Sequence, residues 1–82
     1  MINPLERFKK EKNLTLMEMA TFFDVSESTI YQNLKGGRRE LSEQIVLILD
    51  EMGYNKSQVK QEYKQYRQAK RAAKRKELME SY

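Results

Sequence analysis

The amino-acid sequence predicts an all-α chain of five helices, and three observations point that way. Residues suited to capping a helix N-terminus recur at Asn3, Thr15, Ser26, Ser42 and Asn55, each ahead of apolar residues at helical spacing. Between them stand Asn13, Gly36-Gly37 and Gly53, residue types that tolerate the left-handed conformation common just past a helix end. From Lys56 to the C-terminus there is neither Gly nor Pro, and Ala, Gln, Glu, Lys and Arg dominate, all good helix formers.

Asn3-Pro4 opens the first helix, with Asn as N-cap and Pro at the first helical position, where its missing N–H costs nothing. Leu5 and Phe8 give it an inward face, while Arg7, Lys9, Lys10 and Lys12 read as a solvated one. The next stretch, Leu14 to Leu34, reads as two short helices joined by a tight turn. Thr15 caps the first of these, and Glu18, three residues on, can reach back to the free N–H of the cap. Leu14 and Met19 flank that cap at the spacing of a hydrophobic staple. The small side chain of Ala20 would let a second helix cross close by.

Phe23, Asp24 and Val25 interrupt the helical pattern, and Ser26 caps the next helix. Ile30 and Leu34 share its inner face at i, i+4. The opposite face carries Glu27, Ser28, Tyr31, Gln32 and Lys35, whose polar tips suit a helix that reads base edges. Gly36-Gly37 terminates this helix, and Arg38 and Arg39 follow directly.

Ser42 is placed to cap the fourth helix, with Leu41 and Val46 as its staple. Ile45, Ile48, Leu49 and Met52 form an apolar stripe at helical spacing and read as core. After Gly53, Asn55 and Gln58 are placed to cap the fifth helix, and Tyr54 and Val59 take staple positions. Fully helical, this last segment would run roughly 40 Å at ~1.5 Å per residue, longer than so small a body can cover. Lys56, Lys60, Lys64, Arg67, Arg71 and Lys74 make one stripe along it. Val59, Tyr63, Tyr66 and Ala73 make an apolar stripe about 100° away. The apolar stripe is expected to dock on the body at its start and to pair with a second copy further on. A coiled coil has little support, because Lys70 interrupts the seam. The final LMESY is expected to fray without a partner.

Composition narrows the function classes. The 82 residues allow one small domain; they include no Cys, which excludes disulfides, and no His, which removes the commonest general base and metal ligand. No nucleophile–base pair or metal-ligand cluster can be assembled, so neither an enzyme nor a cofactor or metal is expected. The start, MINPLERFKK, is too charged for a signal peptide. The longest apolar run, Ile45 to Leu49, is far short of a membrane span, so a cytoplasmic chain is expected. The net charge of +4 is unevenly placed: residues 1–55 hold seven Lys/Arg against nine Asp/Glu, and residues 56–82 hold nine against three. A basic surface of this kind suits nucleic acid first and an anionic membrane second.

The stretch from Leu14 to Leu34 resembles the helix-turn-helix of the Cro/C1-type (XRE-like) repressor family. Leu14-Thr15, Met19-Ala20, Val25-Ser26 and Ile30 match, as do Gly36 and the run Leu41-Ser42, Ile45, Ile48-Leu49 and Met52-Gly53. The resemblance covers roughly residues 3 to 60. Leu16 stands where the family usually has a phosphate-touching glutamine, Asp24 where it has a turn glycine, and Asn33 where it has an apolar residue, with Leu34 expected to take over that packing.

The resemblance implies a lambda-repressor-like DNA-binding domain over residues 1–55, with 56–82 as an extended basic helix. It further implies a small transcriptional repressor acting as a homodimer on an inverted-repeat operator in double-stranded DNA. The helix after Ser26 would enter the major groove, with Gln32 pairing bidentately with adenine and Ser28 and Tyr31 adding contacts. Glu27 would either accept from a cytosine amino group or stabilise the helix N-terminus. Thr29, Lys35, Arg38 and Arg39 would hold the phosphate backbone. In the tail, Lys64, Arg67, Arg71 and Lys74 are candidates for further DNA contacts, and Tyr63, Tyr66 and Ala73 for dimerisation. The rival classes are a protein-interaction module, favoured by the acidic balance of residues 1–55, and RNA binding through the basic tail.

Overall fold

The computed structural model describes residues 2–81, and these form five α-helices with no strand among them: α1 (Pro4–Glu11), α2 (Leu16–Phe23), α3 (Glu27–Lys35), α4 (Glu43–Glu51) and α5 (Lys56–Glu80). Local capping chemistry sets most of the boundaries. The Asn3 side chain accepts from the Leu5 N–H ahead of Pro4. Thr15 and Glu18 form a reciprocal capping box, each side chain bonded to the other's backbone N–H. Ser26 accepts from Thr29 N–H, and Asn55 from Gln58 N–H. Asn13 and Asp24 take left-handed backbone, at φ 52° and 54°. A short polar side chain tolerates that conformation where a branched one would not.

The helices close on one core. Leu5 and Phe8 of α1, Met19, Ala20 and Phe23 of α2, Ile30 of α3, Ile45, Val46 and Leu49 of α4, and Val59 and Tyr63 of α5 are all buried in it, together with Leu41 ahead of α4. The core therefore continues past residue 55 into the first half of α5. Phe8 anchors an aromatic cluster, with ring centroids 5.4 Å from Phe23, 5.7 Å from Phe22 and 6.0 Å from Tyr54. Arg7 and Glu62 add a bidentate ion pair between α1 and α5, both contacts 3.0 Å. The Glu62 carboxylate holds the Arg7 guanidinium still further into its charged form.

Several expectations need correction. Arg7 is not simply solvated, since it carries that bridge. Phe23 does not interrupt α2 but is its last residue and is wholly buried, because the chain turns at Asp24 instead. In α4 the buried stripe runs through Val46 rather than Met52, which is 42% exposed at the helix end. Ser42 occupies the N-cap position without a side-chain cap bond. Its backbone N–H instead donates to Asn33 Oδ1 at 3.0 Å.

That last bond belongs to a polar network on the inner side of α3, beside Leu34, which is half-buried and packs against the core as expected. Asn33 also lies on the core side of α3 and has no exposed surface. Its Nδ2 donates to the Glu40 carbonyl at 3.1 Å and to Tyr63 Oη at 3.3 Å. Asn3 Nδ2 in turn donates to the Asn33 and Leu34 carbonyls at 2.7 and 3.1 Å. A buried amide is tolerated only when its hydrogen bonds are made. Among the described residues, no buried side-chain nitrogen or oxygen lacks a partner.

α5 is 25 residues long, and from Gln68 onward every described residue is exposed. The helix thus leaves the body about halfway along, within overall extents of 45 × 25 × 20 Å. It continues through Glu80, so Leu78, Met79 and Glu80 of the segment expected to fray are helical, while Tyr82 lies outside the described residues. No described helix is long and apolar enough to cross a membrane.

Candidate nucleic-acid interface

The site is built on α3, whose two sides are unequal. Ile30 and Asn33 are buried, which turns Glu27, Ser28, Tyr31 and Lys35 outward. The tight turn that sets this orientation closes with Val25 N–H donating to the Ala20 carbonyl at 3.1 Å around the left-handed Asp24. Tyr31 is 49% exposed, and the Lys35 ammonium lies 5.0 Å from its ring centroid, within cation–π range. Thr29 is half-buried, and its hydroxyl shares a 2.9 Å hydrogen bond with Ser26 Oγ in the N-terminal cap. Gln32 is also half-buried: its Oε1 leans over Gly37, so close that a Cβ at Gly37 would lie 2.7 Å from it.

Beyond α3, the segment from Lys35 to Glu40 is held by its backbone carbonyls. Tyr63 Oη donates to the Arg38 carbonyl at 2.7 Å. Arg67 donates through Nε to the Gly36 carbonyl at 2.9 Å and through Nη1 to that of Arg39 at 3.2 Å. The Lys70 ammonium reaches the Lys35 carbonyl, and Asn33 holds that of Glu40. Burial pushes the Tyr63 phenol above its ordinary pKa, an effect only partly offset by the Asn33 hydrogen bond and the Arg67 charge.

Two consequences follow. The cations of Arg67 and Lys70 lie at the C-terminal end of α3, where the helix dipole favours positive charge. The Arg38 and Arg39 side chains stay exposed while their backbone is fixed, and neither makes an ion pair among the described residues.

The structure thus brings Glu27, Ser28, Tyr31 and Lys35 together on one strip, with Gln32 at its edge and Arg38 and Arg39 beyond its end. It separates the tail residues by role. Tyr63 is 2% exposed inside the chain's own core and so cannot form a pairing seam. Tyr66 is half-buried against Gly36, where φ is +73° and a Cβ would lie 2.8 Å from the ring. Ala73 is exposed. Arg67 is engaged by the carbonyls of Gly36 and Arg39, just past α3. Lys64, Arg71 and Lys74 are exposed, and Lys74 approaches Glu77 at 3.8 Å.

Sequence reasoning missed Asn33 and Lys70 as the residues that fix α3. Asn33 carried a signal, a polar residue on an otherwise apolar face. Lys70 carried none, because nothing local relates it to a helix end 35 residues earlier. The described residues contain no cluster of His, Cys, Asp and Glu able to hold a metal ion. Compared with known proteins, the chain matches no family model, no curated protein and no solved structure.

Proposed function

We propose that this chain is a sequence-specific regulator that binds double-stranded DNA, a small repressor with the lambda-repressor-like arrangement of helices, acting as two copies on an inverted repeat. The observation that carries this reading is the contrast on α3. One side exposes hydrogen-bonding and cationic tips, while the other side and the C-terminal end are fixed by Asn33, Tyr63, Arg67 and Lys70. A surface that reads base edges needs such pre-organisation, because a loose helix loses affinity in ordering itself.

In this reading α3 enters the major groove. Ser28 and Tyr31 face the base edges, and Gln32 turns from Gly37 to pair with adenine. Glu27, at the helix start, either accepts from a cytosine or supports the helix dipole. Lys35, Arg38 and Arg39 contact phosphates, with Thr29 contributing through the ordered N-terminal turn. Lys64, Arg71 and Lys74 supply a weaker, sequence-independent attraction along α5.

The test is selection from random duplex DNA with the full chain. Enrichment of an inverted repeat, with half-site centres about 10–10.5 base pairs apart or a multiple of that, is the expected result. Salt-sensitive binding with no enriched sequence would overturn it. A protein partner is the second reading, favoured by Met17 and Phe22 on α2, which are 67% and 44% exposed. It predicts no selection of DNA at all.

A further inference from the structure

A second surface lies between α4 and α5, away from the polar strip of α3. One wall is an edge of α4, where Glu43, Leu47 and Asp50 recur at i, i+4 and i+7. The other wall is the start of α5, with Lys56, Lys60 and Lys64. Leu47 is 52% exposed, an aliphatic side chain between two carboxylates on an open edge. Val46 and Tyr63, both buried, lie beneath. The two walls carry opposite charge, yet among the described residues no ion pair crosses the groove.

We infer that this groove receives α4 of a second copy of the chain, forming a two-fold dimer centred on Leu47. The element that fits is one whose exposed edge is apolar in the middle and acidic on either side. α4 has that composition: EQIVLILDE contains three acidic residues and no basic one. In a two-fold arrangement the same patch serves on both subunits. Leu47 packs against its counterpart, and Glu43 and Asp50 of each copy approach Lys56 and Lys60 of the other. This assigns the pairing to α4 and the start of α5, in place of the seam through Tyr63, Tyr66 and Ala73. It rests on the proposed function only for the need for two copies, not for what α3 binds.

Sedimentation of the full chain without DNA tests the pairing, using complementary charge reversals. Glu43→Lys with Asp50→Lys makes both walls basic; Lys56→Glu with Lys60→Glu makes both acidic. The unaltered chain is expected to dimerise, more weakly at high salt. Each variant alone should dissociate at least about a hundredfold more readily, because like charges then face each other. Mixed in equal amounts, the two variants should regain the dimer, since each acidic wall again meets a basic one. That recovery also shows that both variants are folded. Leu47→Asp, at an exposed position, should give a monomer of unchanged helicity by circular dichroism.

The inference is overturned by an unaltered chain that stays monomeric across the concentration series, by variants that remain dimeric, or by folded variants whose mixture stays monomeric. A monomer that still enriches a DNA half-site would remove the dimer and leave the reading of α3 intact. A dimer that enriches no DNA would do the reverse.

Discussion

Asn33 shows how much one buried amide can organise. It joins the end of α3, the segment before α4 and the middle of α5 through three hydrogen bonds. Asn33→Leu would add apolar volume while stranding the Ser42 N–H and the Glu40 carbonyl, and each unsatisfied buried group costs about 1–3 kcal/mol. We expect a loss of about 2–4 kcal/mol, read as a lower midpoint in urea; a loss under about 1 kcal/mol would mean the network relaxes without it. Tyr63 adds a pH dependence. Its folded pKa lies above the ordinary 10.0, chiefly through burial. The folded state therefore holds that proton more tightly, so the stability it contributes is complete below about pH 10 and falls as pH rises through the folded value. Denaturation curves from pH 9 to 11.5 should show the decline, and Tyr63→Phe should flatten it at the cost of about 1–3 kcal/mol for the two lost hydrogen bonds. On the outward side of α3, Gln32→Ala should cost about 1–3 kcal/mol at one operator position and relax preference there, whereas Arg38→Ala should weaken all sequences alike and reduce the salt slope by about one. Affinities measured on a panel of single-base operator variants distinguish the two.

The elements divide by how local their determinants are. The caps at Asn3, Thr15, Ser26 and Asn55 are legible in the sequence because each bond closes within three residues. The left-handed positions at Asn13, Asp24 and Gly36 are legible for the same reason. The outward strip of α3 follows from helical period alone once Ile30 is placed inside. What was not legible depends on partners far along the chain: Asn33 with residues 3, 40 and 63, Arg7 with Glu62, and Arg67 and Lys70 with the carbonyls that end α3. The Ser42 hydroxyl makes no cap bond; what the residue contributes is its backbone N–H, donated to Asn33, nine residues earlier. α5 is consequently the element that finishes α3. Arg67→Ala removes two donors at once, and amide hydrogen exchange across residues 36–40 should quicken by about tenfold, equivalent to about 1.4 kcal/mol of local opening. Arg67→Lys should not restore the slower exchange, since an ammonium lacks the planar fork that spans two carbonyls.

At the scale of the whole molecule, the chain is a body continued by half a helix. The described residues from Gln68 onward are exposed, so deleting everything after Arg71 retains Arg67 and Lys70 and should change stability by no more than about 0.5 kcal/mol. Deletion after Lys64 removes Tyr66, Arg67 and Lys70 together and should lower the thermal midpoint by several degrees; equal midpoints for the two deletions would refute the role given to these residues. The same long reach has a consequence for how the protein is made. Lys35 is translated 35 residues before Lys70, the side chain that meets its carbonyl. At about 5–20 residues per second, α3 waits roughly 2–7 s on the ribosome for the helix that fastens its end. A nascent chain stopped short of α5 would carry the exposed strip on an unfastened support. Order at that surface is thereby tied to synthesis of α5, and, on the DNA-binding function proposed above, chains terminated before it should bind poorly.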